Sequence, residues 1–311
     1  MSNSYVNILR NCLGVAPGEE VLVVTDDKTK TIGNSLYQAA LSLGAQALLL
    51  EMQEREVSGQ EPPQTVAAAM KSAHVVLCPT AKSLTHTNAR IQAAKAGARI
   101  ATMPGITEDM FEKGAMTADY TQVKILSDKV TELLSKAEEA RIEKDGYVLT
   151  ISLKGRAGVS STGVYLEAGE SGNLPSGEAY IAPLEDGSHG QVLVDGSMVG
   201  IGMLEEPLLF TIENGKIVDI TGKDCDKLAV LLETEENATL CELGIGTNEA
   251  AILSGVILED EKVYGTLHVA FGTNTSFGGT NKAACHMDGV ILEPDLYLDG
   301  QLILQKGQFL L

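Results

Sequence analysis

Glu20-Val-Leu-Val-Val-Thr25, then Thr31 to Leu43, then Ala47-Leu-Leu-Leu-Glu-Met52: an apolar run, a segment of helical periodicity and a second apolar run follow one another with short turns between them. That order is a βαβ unit. A second unit repeats it, with a strand at Ala73 to Cys78, a helix through Thr85 to Ala96 closed by Gly97 as a C-terminal cap, and a strand at Arg99 to Met103. Strands that are apolar along their whole length need cover on both faces, which a parallel sheet between two layers of helices provides. Residues 1–115 are therefore expected to form a doubly wound α/β domain with a parallel sheet.

Outward from that unit the texture changes. Val123, Leu126, Val130, Leu133, Leu134 and Ala137 fall on one stripe of a helix, so residues 116–145 read as a long connecting helix. Beyond Asp145-Gly146 come short β-prone runs such as Tyr147 to Leu153 and Gln191 to Val194, separated by glycine-rich turns. The clearest hairpin is Pro207 to Glu213 and Lys216 to Ile220 around Asn214-Gly215, a dipeptide suited to the left-handed angles of a tight type I′ turn, and Asp299-Gly300 suggests another. Residues 146–311 are expected to form a mainly antiparallel β (α+β) domain that binds metal and carries the chemistry.

Composition narrows the functions available. The chain has 311 residues, enough for two modest cores, and a formal charge of −19 that repels phosphate backbones and anionic membrane surfaces. Nucleic acid and membrane are excluded as expected partners, and a small peptide or other small molecule is the expected substrate. Met1 to Val15 lacks a basic segment followed by an apolar core, and no apolar run is long enough to cross a bilayer, so a cytoplasmic protein is expected. Cys12, Cys78, Cys225, Cys241 and Cys285 are scattered without a Cys-x-x-Cys pair, which argues against a disulfide framework or a zinc knuckle. No P-loop or dinucleotide fingerprint is present.

Two of the five histidines lie in the last sixth of the chain. His286 and Asp288, two apart in a strand, project from one face and can present an imidazole and a carboxylate to one ion. His268, in the apolar strand Thr266 to Phe271, adds a second nitrogen if the two strands are neighbours. Such a set suits zinc, cobalt, manganese or ferrous iron and leaves positions open for water or substrate. A core histidine and a simple His–Asp pair give the same pattern, and the residues alone leave both open. Glu178 and Glu242 are lone acids among apolar neighbours, which need a cation or a strong hydrogen-bond partner if buried. His86 and His189 are weaker candidates on loops or helix starts, where a surface histidine gives the same pattern, and His74 opens a buried strand as a structural residue.

With these segments placed, the chain resembles the thermophilic metalloaminopeptidases that include aminopeptidases T and S. The likeness runs over Ser83-Leu-Thr-His86 to Met103-Pro-Gly-Ile-Thr107, Asn173 to Pro183, Cys241 to Asn248, His268 to Gly272 and His286 to Asp288. The resemblance implies a homodimer and one or two divalent ions, held by Glu178, Glu242, His268, His286 and Asp288. It also implies that Glu178 or Glu242 takes the proton of a metal-activated water during removal of N-terminal residues from peptides. In those peptidases a catalytic tyrosine follows the first metal-binding histidine by seven residues, and Thr275 stands there in this chain. The same fold family contains ferrous dihydroxypyridine ring-cleaving dioxygenases. That resemblance implies iron on His268, His286 and Asp288, with Glu178, His189 and His86 around the substrate. Aromatic residues make up 4% of the chain and tryptophan is absent, so composition offers no stacking platform for a ring. A metal-dependent hydrolase of the aminopeptidase type is thus the first expectation. An iron dioxygenase and a non-catalytic metal-binding relative are the alternatives.

Overall fold

The computed structural model describes residues 3–311, which divide into two compact units. The first comprises the residues up to Lys124 together with Thr162–Ser176; the second comprises Ile125–Ser161 and Gly177–Leu311.

In the first unit the strands Glu20–Asp26, Gln46–Met52, Val75–Thr80 and Arg99–Pro104 form a parallel sheet, in the order second, first, third, fourth. Helices Lys30–Ser42, Gln64–Ser72 and Asn88–Lys95 supply the crossovers. Every residue of Val75–Thr80 is buried, as a strand covered on both faces requires. Leu22, Val24, Met70, Val76, Leu84 and Ile100 share one core cluster, and each buried side chain of this size stabilises by about 1.5–3 kcal/mol. Gly97 caps its helix with φ +103°, a left-handed angle that favours glycine. His74 is structural: its Nδ1 accepts from the Glu20 amide at 3.1 Å. The sheet's fifth strand, Ser171–Asn173, comes from the segment after residue 161 and pairs in parallel with Arg99–Pro104.

The helix that leaves this unit ends at Lys136 instead of continuing to residue 145. Glu139–Lys144 is a strand, because Ala140 and Ile142 are buried in alternation with Glu139, Arg141 and Glu143. Asp145 and Gly146, at φ 49° and 87°, turn it into Tyr147–Ser152 as a hairpin. Asn214 and Gly215 do the same between Leu208–Glu213 and Lys216–Thr221, and Asp299 and Gly300 between Asp295–Leu298 and Gln301–Gln305.

These hairpins belong to an eight-stranded sheet in the second unit, whose other sheet has seven strands. The middle of the seven-stranded sheet runs Glu178–Ile181, Leu240–Gly246, Leu267–Gly272, His286–Ile291, each antiparallel to the next. Alternation assigns the two faces of these four strands. Ala179, Ile181, Leu243, Ile245, Leu267, Val269, Phe271, Met287 and Ile291 enter the unit's apolar core, which includes Leu149, Ile151, Val192 and Phe210 of the eight-stranded sheet. The intervening residues, Glu178, Tyr180, Glu242, Gly244, His268, Ala270, His286 and Asp288, therefore line the opposite face. No helix among the described residues is long and apolar enough to cross a membrane, and all five cysteines are free thiols.

Candidate metal centre

Cross-strand register brings the polar residues of that face together. Gly244 stands opposite both His268 and Tyr180, Ala270 opposite both Glu242 and Asp288, and Gly246 opposite Glu178. The small residues make the room. A Cβ on Gly244 would lie 2.0 Å from His268 Nε2, so the imidazole lies across a glycine that no other residue can replace without moving the ring.

The resulting cluster is buried and compact. Glu242 reaches both histidines, with Oε1 3.4 Å from His268 Nε2 and Oε2 3.3 Å from His286 Nε2. Asp288 Oδ1 is 3.4 Å from His286 Nε2, and Glu178 Oε2 is 3.6 Å from His268 Nε2. Two sets of three donors result: Glu242, His286 and Asp288 in one, and Glu178, Glu261 and His268 in the other, each with its ligand atoms within 4.8 Å of one another. His286 Nδ1 lies 2.9 Å from the Thr273 carbonyl oxygen and 3.6 Å from Cys241 Sγ. A proton on Nδ1 donated to that carbonyl leaves Nε2 as the nitrogen turned to the acids, the usual arrangement of a metal-binding imidazole.

Protonation follows from the crowding of acids. Burial disfavours the charged imidazole of His268, but the hydrogen bond to Glu242 and the charges of Glu178 and Glu261 outweigh it and raise its pKa to about 9. His286 is likewise raised well above its ordinary value, against burial, by Asp288 and Glu242. Burial opposes ionisation of Glu242, yet the two histidines hold its carboxyl well below the usual range. Burial pushes Glu261 upward, and the charges of Glu178 and Asp288 add to that. Buried imidazoles and carboxylates in this ratio fit a divalent cation, which supplies the positive charge the acids otherwise draw from protons.

All five expected ligands, Glu178, Glu242, His268, His286 and Asp288, thus lie in one cluster. His189 does not join it: it is exposed, and its strand, Ser188–Val194, belongs to the eight-stranded sheet. His86 is exposed in the first unit, just before helix Asn88–Lys95. Two neighbours were not singled out from the sequence. Glu261 and Lys262 follow the short helix Ile257–Asp260, and Lys262 Nζ lies 2.6 Å from Glu178 Oε1 while also bonding Glu261 Oε1. The sequence pattern flagged neither, since Glu259-Asp-Glu-Lys262 reads as a charged surface run, although Lys262 is buried.

Aromatic side chains also meet the cluster, despite their scarcity in the chain. The Tyr180 and Phe277 rings pack edge to face with centroids 5.3 Å apart, and Phe277 meets the His286 ring edge to face at 6.1 Å. Burial, then the charges of Glu178 and Glu242, hold the Tyr180 phenol protonated to well above its ordinary pKa. Thr275 is exposed, and Tyr264 packs against Phe309 at 5.0 Å. The tyrosine beside the acids is therefore Tyr180. The loop carrying Phe277 is pinned at Glu185, which accepts from the Thr280 amide at 2.6 Å and from Asn274 Nδ2 at 3.2 Å and pairs with Arg156 at 2.5 Å.

With this geometry established, the family model described as NicX: 2,5-dihydroxypyridine 5,6-dioxygenase matches residues 1–311. The chain belongs to the NicX family. The structure of 2,5-dihydroxypyridine dioxygenase from Pseudomonas putida KT2440 superposes with a TM-score of 0.81 at 20% identity, covering 99% of this chain and 96% of that one. Wild-type AmpT from Thermus thermophilus superposes with a TM-score of 0.72 at 16% identity, covering 99% and 98%. At such identities both likenesses show the shared fold. A curated relative, aminopeptidase AmpS of Bacillus subtilis (strain 168), is 29% identical over 202 residues, 56% of this chain and 48% of its own. This NicX-family chain thus spans about half the length of that relative. Both resemblances read from the sequence, to the aminopeptidases and to the dihydroxypyridine dioxygenases, are present.

Proposed function

We propose that this NicX-family chain is a metal-dependent enzyme that uses molecular oxygen to open a small dihydroxylated aromatic ring, the substrate class named for its family. The observation that carries the reading is the aromatic corner at the ligands, where Tyr180 and Phe277 stand edge to face and Phe277 abuts His286. A flat ring packs against such faces, whereas a peptide backbone gains little from them. His268, His286 and Asp288 would hold the ion, with Glu242 against both histidines; when bound, ferrous iron supplies the oxygen and redox chemistry that ring opening requires. The chain's own residues bind and orient. The phenol of Tyr180, kept protonated, donates a hydrogen bond toward a ring oxygen or nitrogen. Glu178 and Glu242 are placed to accept protons from ring hydroxyls. Both atoms of one oxygen molecule end in the product as one ring bond is lost.

A second reading, the aminopeptidase-type hydrolase, is favoured by the same Tyr180. Its hydroxyl stands among the acids where a hydrolase needs a phenol, while Glu178 or Glu242 would take the proton of a metal-activated water. Metal-free protein reconstituted separately with zinc, cobalt, manganese and anaerobic ferrous iron separates the two. Offered dihydroxypyridines with dissolved oxygen monitored, the iron form alone should consume oxygen. Release of amine from aminoacyl-arylamides by the zinc or cobalt form, without oxygen uptake by the iron form, overturns the oxygenase reading in favour of the hydrolase.

A further inference from the structure

Glu178, Glu261 and His268 form a donor set of the same kind as Glu242, His286 and Asp288, but one ammonium group already lies within it. The Lys262 side chain is 2% exposed, and its Nζ is 2.6 Å from Glu178 Oε1 and bonded to Glu261 Oε1. The backbone that delivers it is fixed on both sides. Its carbonyl accepts from the Asn248 amide at 2.9 Å, its own amide donates to the Glu259 carbonyl at 2.9 Å, and the carboxylate of Asp260, two residues earlier, accepts from the amides of Ser254 and Gly255.

We propose that Lys262 is a built-in cation that takes the place of a second divalent ion between Glu178 and Glu261, limiting the centre to the one exchangeable ion that His268, His286 and Asp288 would hold beside Glu242. The inference rests on the metal-centre reading above and deepens it. An ion shared by Glu178 and Glu261 would sit about 2.0–2.2 Å from their oxygens. One oxygen of each already accepts from Nζ, and the ammonium occupies the space between them. The two sets hold four carboxylates, Glu178, Glu261, Glu242 and Asp288. Lys262 with one divalent ion brings three positive charges against these four and Lys262 with two ions brings five, imbalances of equal size, so the occupied space between Glu178 and Glu261 decides. A lysine suits the place because its ammonium is a compact point charge with three donors, close to an ion in size and reach.

The test is metal stoichiometry, independent of turnover. Metal-free wild-type protein titrated with excess manganese, followed by calorimetry, elemental analysis and electron paramagnetic resonance, should bind one ion per chain with the spectrum of an isolated ion. Lys262→Met, which keeps the length and removes the charge, should bind two, with the exchange-broadened spectrum of a close pair. Lys262→Arg, which keeps the charge, should remain at one. Two ions in the wild type overturn the inference even if the methionine variant fails to fold, while leaving the metal-centre reading intact. A folded Lys262→Met that still binds one ion also overturns it. No ion bound by the wild type defeats both readings together.

Discussion

The two donor sets on the polar face of the seven-stranded sheet have nearly the same composition, two carboxylates and one imidazole each, yet differ in where their members come from. Glu242, His286 and Asp288 all project from sheet strands whose register fixes them relative to one another. In the other set Glu178 and His268 come from the sheet, but Glu261 arrives from a non-strand segment, accompanied by the Lys262 ammonium. A sheet presents ligands at fixed spacing and leaves the charge to be supplied from outside. A connecting segment can bring a charge of its own. The difference teaches that donor identity alone does not define a metal position: the nearest fixed cation decides whether an ion is needed there.

The sharpest way to break this comparison is to damage each set in turn. His286→Ala or Asp288→Asn should weaken ion binding by more than about 100-fold, beyond the range seen when only a supporting contact is lost. Glu261→Gln should change it by less than about tenfold. Calorimetric titration of folded, metal-free protein measures both, and equal losses would erase the distinction. Next in size is stability. Lys262→Met leaves Glu178 and Glu261 buried beside each other without their cation, and the metal-free variant should lose about 3–5 kcal/mol in denaturant unfolding. Excess metal should restore much of this, since an ion that binds only the folded state stabilises it.

A third expectation concerns protons. His268 and His286 hold protons to higher pH than free imidazole, His268 to about 9, and an ion must displace them. Ion affinity should therefore rise with pH until the His268 proton is lost near 9, by about tenfold per pH unit for each proton displaced. A flat profile between neutrality and pH 9 would mean the imidazoles are not ligands. The smallest effect lies outside both sets. Against burial, the Thr280 hydrogen bonds and Arg156 hold the Glu185 carboxyl below its ordinary range. Its contribution is full above the ordinary carboxylate value and disappears as pH falls through the lowered one. With a quarter of its side chain in solvent, Glu185→Gln should cost only about 1 kcal/mol and raise KM more than it lowers kcat, through the loop bearing Phe277.

Much of this was legible in the sequence, for identifiable reasons. Period-two alternation put His286 and Asp288 on one face, and lone acids in apolar surroundings pointed to Glu178 and Glu242. The apolar runs from Glu20 to Met103 gave the parallel sheet. Glu261 and Lys262 escaped because their placement depends on the short helix Ile257–Asp260 and the pairing of Asn248 with Val263, contacts with no periodic signature. Composition misled about aromatics because it averages over the chain, whereas Tyr180 and Phe277 are gathered at one place. Ser171–Asn173 is too short and polar to read as a strand, so the return of residues 162–176 to the first unit left no mark in the pattern. The helix boundary at Lys136 was hidden because Ala137 still fits the helical stripe.

The register of Leu267–Gly272 on His286–Ile291 pairs Gly272 with His286, Ala270 with Asp288 and His268 with Val290, so both ligand strands are locked before the chain enters the loop that joins them. That loop carries Phe277 but none of the donors. The candidate ligands and the Phe277 wall accordingly come from different segments, one set by strand register and the other by a loop that touches it at His286. On the oxygenase reading proposed above, changes from Thr275 to Gly279 should alter ring preference while leaving ion affinity unchanged.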